Sequence, residues 1–269
     1  MKLLFIQYRG QEKKMDKKEI AELRKAAEAR RSCRKYMKKP PEKENVAILS
    51  ETAEIFCRRE DLDIRVVLND RDALGGLFSG IKKSYGFFSG ARNYFAMIEN
   101  KEEGHEEKHI YEEKLGYYGE RLVLTATRLG LGTCWVGGTF DRDAVPCKFG
   151  KDKEVICLVV FGRASAGSGL RGKMISSVMH RKTKSVNDML QASGDVPNWV
   201  IEGMRCVENA PSAVNLQPVM FTASDDMVSA KVKGKHRFDF FDMGIAKLHF
   251  ELGAGGGTWE WGNGGIFQH

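Results

Sequence analysis

Gly116–Gly130, GYYGERLVLTATRLG, carries the strongest helix signal in the chain. Leu122, Ala126 and Leu129 recur at the helical period, with Val123 and Tyr118 alongside. Gly119 and Ala126 are small enough for close packing, and Gly130 is a natural stop. Downstream, Glu154–Phe161 (EVICLVVF) is a continuous apolar run of strand length, which implies a buried central strand. A chain holding both patterns is neither all-helical nor all-strand, so the fold class is α+β (α/β mixed).

The remaining elements follow from period and punctuation. Asp16–Ala29, Glu44–Phe56, Ser185–Gln191, Pro197–Glu208 and Phe238–Gly253 read as helices, the last with Ile245, Leu248 and Leu252 on one face. Ile64–Leu68, Tyr94–Ile98 and Val219–Thr222 read as strands that share one sheet with Glu154–Phe161. Leu131–Phe140 reads as extended, Ser79–Gly90 as a surface loop, and Asn100–Tyr111 as a charged, exposed segment. The tail Gly253–Gly265 is rich in glycine around Trp259 and Trp261 and reads as a surface wrap. Residues 1–14 match nothing downstream and read as an upstream extension.

Four polar stretches are candidates for chemistry. Arg30–Tyr36, RRSCRKY, ends a helix with three arginines and a serine. Their guanidinium forks suit a phosphate or the oxygens of a heterocycle; a solvated basic face is the other reading. Gly137–Gly138 lets a ligand approach the backbone N–H groups, or simply bends a strand. His180–Lys184, HRKTK, is a second basic cluster. Asn209–Pro218, NAPSAVNLQP, lies between a helix exit and a strand entry. It is either a plain turn of Asn, Ser and Pro or a sheet-edge set of amides suited to a planar heterocycle. Cys134 reads as a small buried hydrophobe, and His249 as a satisfied, half-buried histidine.

The chain also echoes itself. The order of helix, polar element, strand and glycine-bearing helix occurs over about 16–140 and again over about 185–253. GERLVLTATRLG beside GIAKLHFELG is the loose match, while RRSCR lies only in the first part and PSAVNLQP only in the second. Residues 15–269 are therefore expected to form one domain of two related halves, about 15–175 and 176–269.

With 269 residues the chain can bury a sizeable core. The net charge of +7 sits largely in the first forty residues and around 171–184. No zinc finger, RGG tract or aromatic–basic stripe accompanies it, so no nucleic-acid partner is expected. Six cysteines without a CxxC pair read as reduced thiols, and no signal peptide or apolar stretch of membrane length is evident. A cytoplasmic protein with no membrane partner is expected. HExxH and P-loop motifs are absent from the sequence.

Taken together, RRSCRKY, PSAVNLQP and GYYGERLVLTATRLGLGTCWVGG resemble the motifs of the FMN-dependent nitroreductase family. PSAVNLQP lies far downstream of RRSCRKY, an order similar to the fused subgroup in which one chain mimics the usual homodimer. The likeness spans about Lys18 to Phe250. It implies a nitroreductase-like fold, with a central, mostly antiparallel sheet flanked by helices as a single-chain pseudo-dimer, binding FMN between its halves. By that resemblance Arg30 and Ser32 meet the phosphate and ribityl chain, with Arg31 nearby. Arg34 lies beside N1 and O2 of the flavin ring, where it stabilises the reduced anion. Pro211, Ser212, Asn215 and Gln217 lie against the flavin from the other half. The Gly137 and Gly138 N–H groups lie near N5 and O4, and Arg181 with Lys182 clasps the phosphate. Ala213, Val214 and Met220 depart from the family pattern and alter the acceptor pocket.

The implied activity is transfer of hydride from NADH or NADPH, through FMN, to a nitroaromatic, quinone or similar small acceptor. No side-chain nucleophile and no metal is expected. The chain is expected to work as a monomer, a pseudo-dimer with one FMN, or as a weak homodimer. A non-catalytic flavin-binding or scaffold protein is the rival from another class.

Overall fold

The computed structural model describes residues 15–70, 88–100, 104–138, 140–145, 150–165, 183–224 and 227–269. Two sheets meet through a central pair of helices. Helices α1 (Lys17–Ala29) and α2 (Lys43–Glu60) precede strands β1 (Asp63–Val67) and β2 (Asn93–Asn100). Helix α3 (His105–Arg128) follows, then β3 (Gly132–Val136) and β4 (Lys153–Gly162). These strands form an antiparallel sheet in the order β1-β2-β4-β3. The second part adds α4 (Val186–Met189), β5 (Leu190–Ser193), α5 (Asn198–Val207), β6 (Met220–Ser224), β7 (Met227–Lys231), α6 (Asp239–Ala254), β8 (Thr258–Trp259) and β9 (Ile266–Gln268). Their order is β5-β6-β7-β9-β8, antiparallel except for β5 beside β6.

Local chemistry explains several boundaries. Asp16 caps α1 by accepting the Glu19 N–H at 2.8 Å. A Ser185–Asp188 capping box starts α4. β2 turns Phe95 and Met97 toward the helices and Tyr94, Ala96 and Ile98 to the other face, where Leu158 and Val160 of β4 join them. Both faces of these strands are buried, which is why their sequences do not alternate. The second sheet packs Phe221, Val228 and Phe267 against α5 and α6.

The central pair departs from the sequence reading in two ways. α3 begins at His105, not Gly116, so the charged stretch before Gly116 is largely helical. Its Glu112 and Glu113 are buried, paired with Arg237 and Lys247 respectively. Helix α6 is buried along its whole length rather than on one face. The two helices cross closely: a Cβ on Gly116 would lie 2.1 Å from the Phe241 carbonyl oxygen. A Cβ on Gly244 would lie 1.9 Å from that of Glu113.

Three further expectations are corrected. The strand near Val219–Thr222 belongs to the second sheet, not the sheet of Glu154–Phe161. Ser185–Gln191 is helical only to Met189, after which Leu190 pairs with Phe221 as a strand. The glycine-rich tail supplies β8 and β9, with Trp259 buried, instead of wrapping the surface. The expected loop at 79–90 lies outside the described residues up to 87, as do residues 1–14. Among the described residues, no helix is long and apolar enough to cross a membrane.

Candidate functional site

The basic segment is laid along β3. Ser32 bridges Thr133, and the Cys33 N–H donates to the Thr133 carbonyl at 2.7 Å. Downstream, Tyr36 OH donates to the Cys33 carbonyl at 2.5 Å and locks the segment's curve. β3 ends at Val136, and on the next residue, Gly137, a Cβ would lie 2.6 Å from the Phe238 ring. Only glycine allows that contact, and Phe238 is the N-cap of α6. Gly138 is exposed, with open space where its side chain would be.

The amide-bearing turn approaches the same helix from α5. The Cys206 carbonyl faces His249 Nδ1 at 3.2 Å. Seven residues on, the Ala213 N–H donates to both carboxyl oxygens of Asp242, at 3.0 and 3.1 Å. The β3 side and the turn side therefore flank one stretch of α6, from Phe238 to His249. That juxtaposition joins the RRSCR segment, the glycine pair and the PSAVNLQP turn.

The turn is strained. Val214, Asn215 and Gln217 have φ of 45°, 53° and 44°. For a β-branched residue such as Val214 that conformation is costly and persists only where surroundings over-determine it. Here they do. Ser212 Oγ accepts the Gln217 N–H at 2.9 Å. Gln217 Oε1 accepts the Lys184 N–H at 2.8 Å, and Lys184 Nζ donates to the Gln217 carbonyl at 2.8 Å. Gln217 is buried and its amide braces the turn internally. Pro211, Ser212 and Asn215 are half-buried.

The arginines differ in their surroundings. Arg31 is exposed, its guanidinium folded onto the Glu28 and Arg30 carbonyls at 2.8 and 2.7 Å. Ser32 is exposed and Arg34 half-buried. Arg34 has no carboxylate partner among the described residues; its charge acts on the buried Cys134 thiol, which burial pushes up. The Arg30 side chain is only 11% exposed, and its Nε has no hydrogen-bond partner among the described residues. Arg181 and Lys182 lie outside the described residues; of the second basic cluster, Lys184 meets Gln217 as above.

Beneath Arg30 lies a group that sequence reasoning missed. Glu120 is fully buried, 3.9 Å from Arg30 Nε. Its Oε2 accepts Trp135 Nε1–H at 2.7 Å, and its Oε1 meets His249 Nε2 at 3.1 Å. The available signal was a carboxylate in the run from Leu115 to Ala126, where Arg121 is the other charged residue. His249 is fully buried, not half-buried. Near the turn, burial above all pushes the Asp242 carboxyl up to about 8; the Ala213 N–H pulls the other way and Asp239 adds to the rise. A carboxyl so placed is largely protonated at neutral pH.

The comparisons with known proteins bear on the family and the fold. Residues 22–254 match a family model described as "Putative TM nitroreductase". No curated protein matches. A solved "putative nitroreductase" from Thermotoga maritima is similar over 97% of this chain and 96% of its own, at 18% identity and a TM-score of 0.56. An FMN-dependent nitroreductase from Clostridium difficile is 25% identical over 57% of this chain and 95% of its own, with a TM-score of 0.42. A nitroreductase with bound FMN from Bacteroides fragilis is 18% identical over 55% of this chain and 91% of its own, with a TM-score of 0.43.

Proposed function

The chain belongs to this nitroreductase family, a family of oxidoreductases, and on that premise we propose that it is an FMN-dependent enzyme passing hydride from NADH or NADPH to a nitroaromatic, quinone or similar small acceptor. The observation that carries the proposal is the shared flank of α6. The RRSCR segment on β3 and the strained turn after Val207 border one stretch of it, about 180 residues apart in sequence.

The residues present suit an FMN. An arginine Nε buried without a hydrogen-bond partner among the described residues is a donor awaiting an acceptor, and a phosphate is the acceptor a guanidinium fork fits best. Ser32, exposed beside Thr133 of β3, adds a hydroxyl two residues on. The open side of Gly138 leaves its backbone accessible to a planar ring. Arg34 brings positive charge beside that strand, with no carboxylate partner among the described residues. FMN, when bound, supplies the redox centre that accepts and returns a hydride. The protein's part is to orient the ring between strand and turn, to place positive charge beside it, and to leave one face open to donor and acceptor in turn. Alternate use of one face predicts ping-pong kinetics. The basic and amide elements lie in one chain, so one FMN per chain and a working monomer or weak homodimer are expected.

The test is spectroscopic. Purified protein loaded with FMN should retain a flavin absorbance spectrum on gel filtration, and NADH or NADPH should bleach it without oxygen. Failure to retain flavin overturns the cofactor assignment. A retained flavin that neither nucleotide bleaches points instead to the non-catalytic flavin-binding protein.

A further inference from the structure

The proposed function uses Arg30 but leaves the residues packed beside it unused: Glu120, His249, Trp135 and Cys206. They lie between the two central helices, β3 and the end of α5. We propose that His249 is a positioning residue for the anion site: by occupying the Glu120 carboxylate it leaves the Arg30 guanidinium available to the phosphate of the cofactor. This rests on the flavin reading and deepens it.

The argument begins with hydrogen-bond capacity. His249 Nε2 meets Glu120 Oε1 at 3.1 Å, and Nδ1 faces the Cys206 carbonyl at 3.2 Å. Two acceptors on opposite sides of one ring call for a doubly protonated imidazolium. Burial pushes the ring toward neutrality, but the Cys206 side chain, whose Sγ lies 3.9 Å from Nδ1, and Glu120 outweigh it and raise the pKa to about 9. Glu120 is also engaged on its second oxygen, by Trp135 Nε1.

Charge counting follows. One carboxylate faces two cations, His249 and Arg30, so the cluster carries one positive charge in excess. Arg30 Nε sits 3.9 Å from Glu120 Oε1, close enough for attraction but too long for a hydrogen bond, and finds no other partner among the described residues. Neighbouring carboxylates are already taken: Glu202 by Arg24 and Arg205, and Glu19 by Arg121. Excess charge in a buried site is costly until an anion compensates it. With a neutral residue at 249, Glu120 would lose its compensating cation, draw Arg30 inward and compete with that anion.

FMN and riboflavin differ by the phosphate, so they make the test. Apo-protein is titrated with each, and the ratio of the two affinities is the readout. In the wild type FMN should bind more tightly. His249→Gln should lower FMN affinity by about tenfold or more, the size of one hydrogen bond to a charged group, and leave riboflavin affinity unchanged. The double variant Glu120→Gln, His249→Gln should recover the FMN preference, because no carboxylate remains to compete for Arg30. An equal loss for both flavins, or a double variant no better than the single, overturns the proposal. Should His249→Gln fail to fold, Glu120→Gln alone decides: retained FMN preference supports the proposal, and its loss sinks it. Wild-type protein that binds neither flavin overturns the flavin reading itself. Wild-type FMN binding with an unchanged preference in His249→Gln overturns only this inference.

Discussion

The strands β1-β2-β4-β3 and β6-β7-β9-β8 have the same order, and each set is interrupted after its second strand by one of the two central helices. α2 precedes the first set and α5 the second. The frame thus occurs twice, but its connections do not. Only Asp61 and Leu62 separate α2 from β1, whereas Glu208–Val219, with the strained turn, separate α5 from β6. Beyond β3 comes Gly137, pressed against Phe238; beyond β8 comes Trp261, whose ring lies 5.4 Å from Tyr117 and 6.1 Å from Tyr118. Where the second half's equivalent place would be, Arg59, Tyr117, Tyr118 and Trp261 line a cavity of about 40 Å³. That is far below the roughly 300–1,000 Å³ of a ligand pocket. A repeated frame supplies stability, while the chemistry resides in the segments that differ.

The largest expected effect concerns what the halves share. Lys247 of α6 and Glu113 of α3 form a fully buried ion pair, and Lys247 Nζ also donates to the Glu260 and Gly262 carbonyls at 2.9 and 3.1 Å. Burial pushes the Lys247 pKa down and the Glu113 pKa up, and each partner's charge opposes that. Lys247→Met leaves Glu113 without its cation and should cost about 3–5 kcal/mol in urea unfolding. A single transition is still expected, because α3 and α6 cross closely at Gly116 and Gly244 and join one half to the other. Two separate transitions would break the picture of a shared core.

Next comes the site. Arg30→Ala should weaken FMN binding by about 1.5–3 kcal/mol, the range for a hydrogen bond to a charged group. Fluorescence titration measures it, and unchanged affinity would remove Arg30 from the phosphate site.

The periodic elements were readable because their signal is local. The run EVICLVVF and the helix around Leu122 declare themselves within a single window of sequence. The start of α3 did not, because Glu112 and Glu113 look solvated until Arg237 and Lys247 arrive from far along the chain. Strand β8 was hidden among glycines, and only its pairing with β9 makes it a strand. At the site, RRSCR and PSAVNLQP stood out by composition. The Glu120–His249 pair did not, since neither residue signals the other across the intervening chain, and their helices must cross before they meet.

The turn gives a pH-dependent contrast. The Asp242 carboxyl, raised mainly by burial to about 8, keeps its proton in the folded state over a range where the unfolded chain has lost it. Between about pH 4 and pH 8 the folded state therefore binds more protons, and stability falls as pH rises. Asp242→Asn can still accept the Ala213 N–H but does not titrate. Its stability relative to wild type should rise through that window, at no more than about 1.4 kcal/mol per pH unit. A constant difference between pH 4 and pH 8 would show that Asp242 does not titrate as the burial argument requires.

The smallest expected effect is on the side where the second half's site is filled. Arg59 donates to Tyr118 OH at 3.2 Å and to Glu60 at 2.8 Å, and its guanidinium lies 5.6 Å from the Tyr118 ring centre. It lies at the end of α2, as the residues before the strained turn lie at the end of α5, yet aromatic rings occupy the space a ligand would need. Arg59→Ala should leave FMN affinity unchanged, although it removes the cation from a largely buried Glu60 and so lowers stability. FMN titration of wild type and variant should reach the same endpoint, one flavin per chain. A second equivalent of FMN in the wild type would mean that the repeated frame carries two sites, and the aromatic filling would then be no barrier. A loss of the first equivalent in Arg59→Ala would place the flavin on the α2 side of the molecule and remove it from the strained turn.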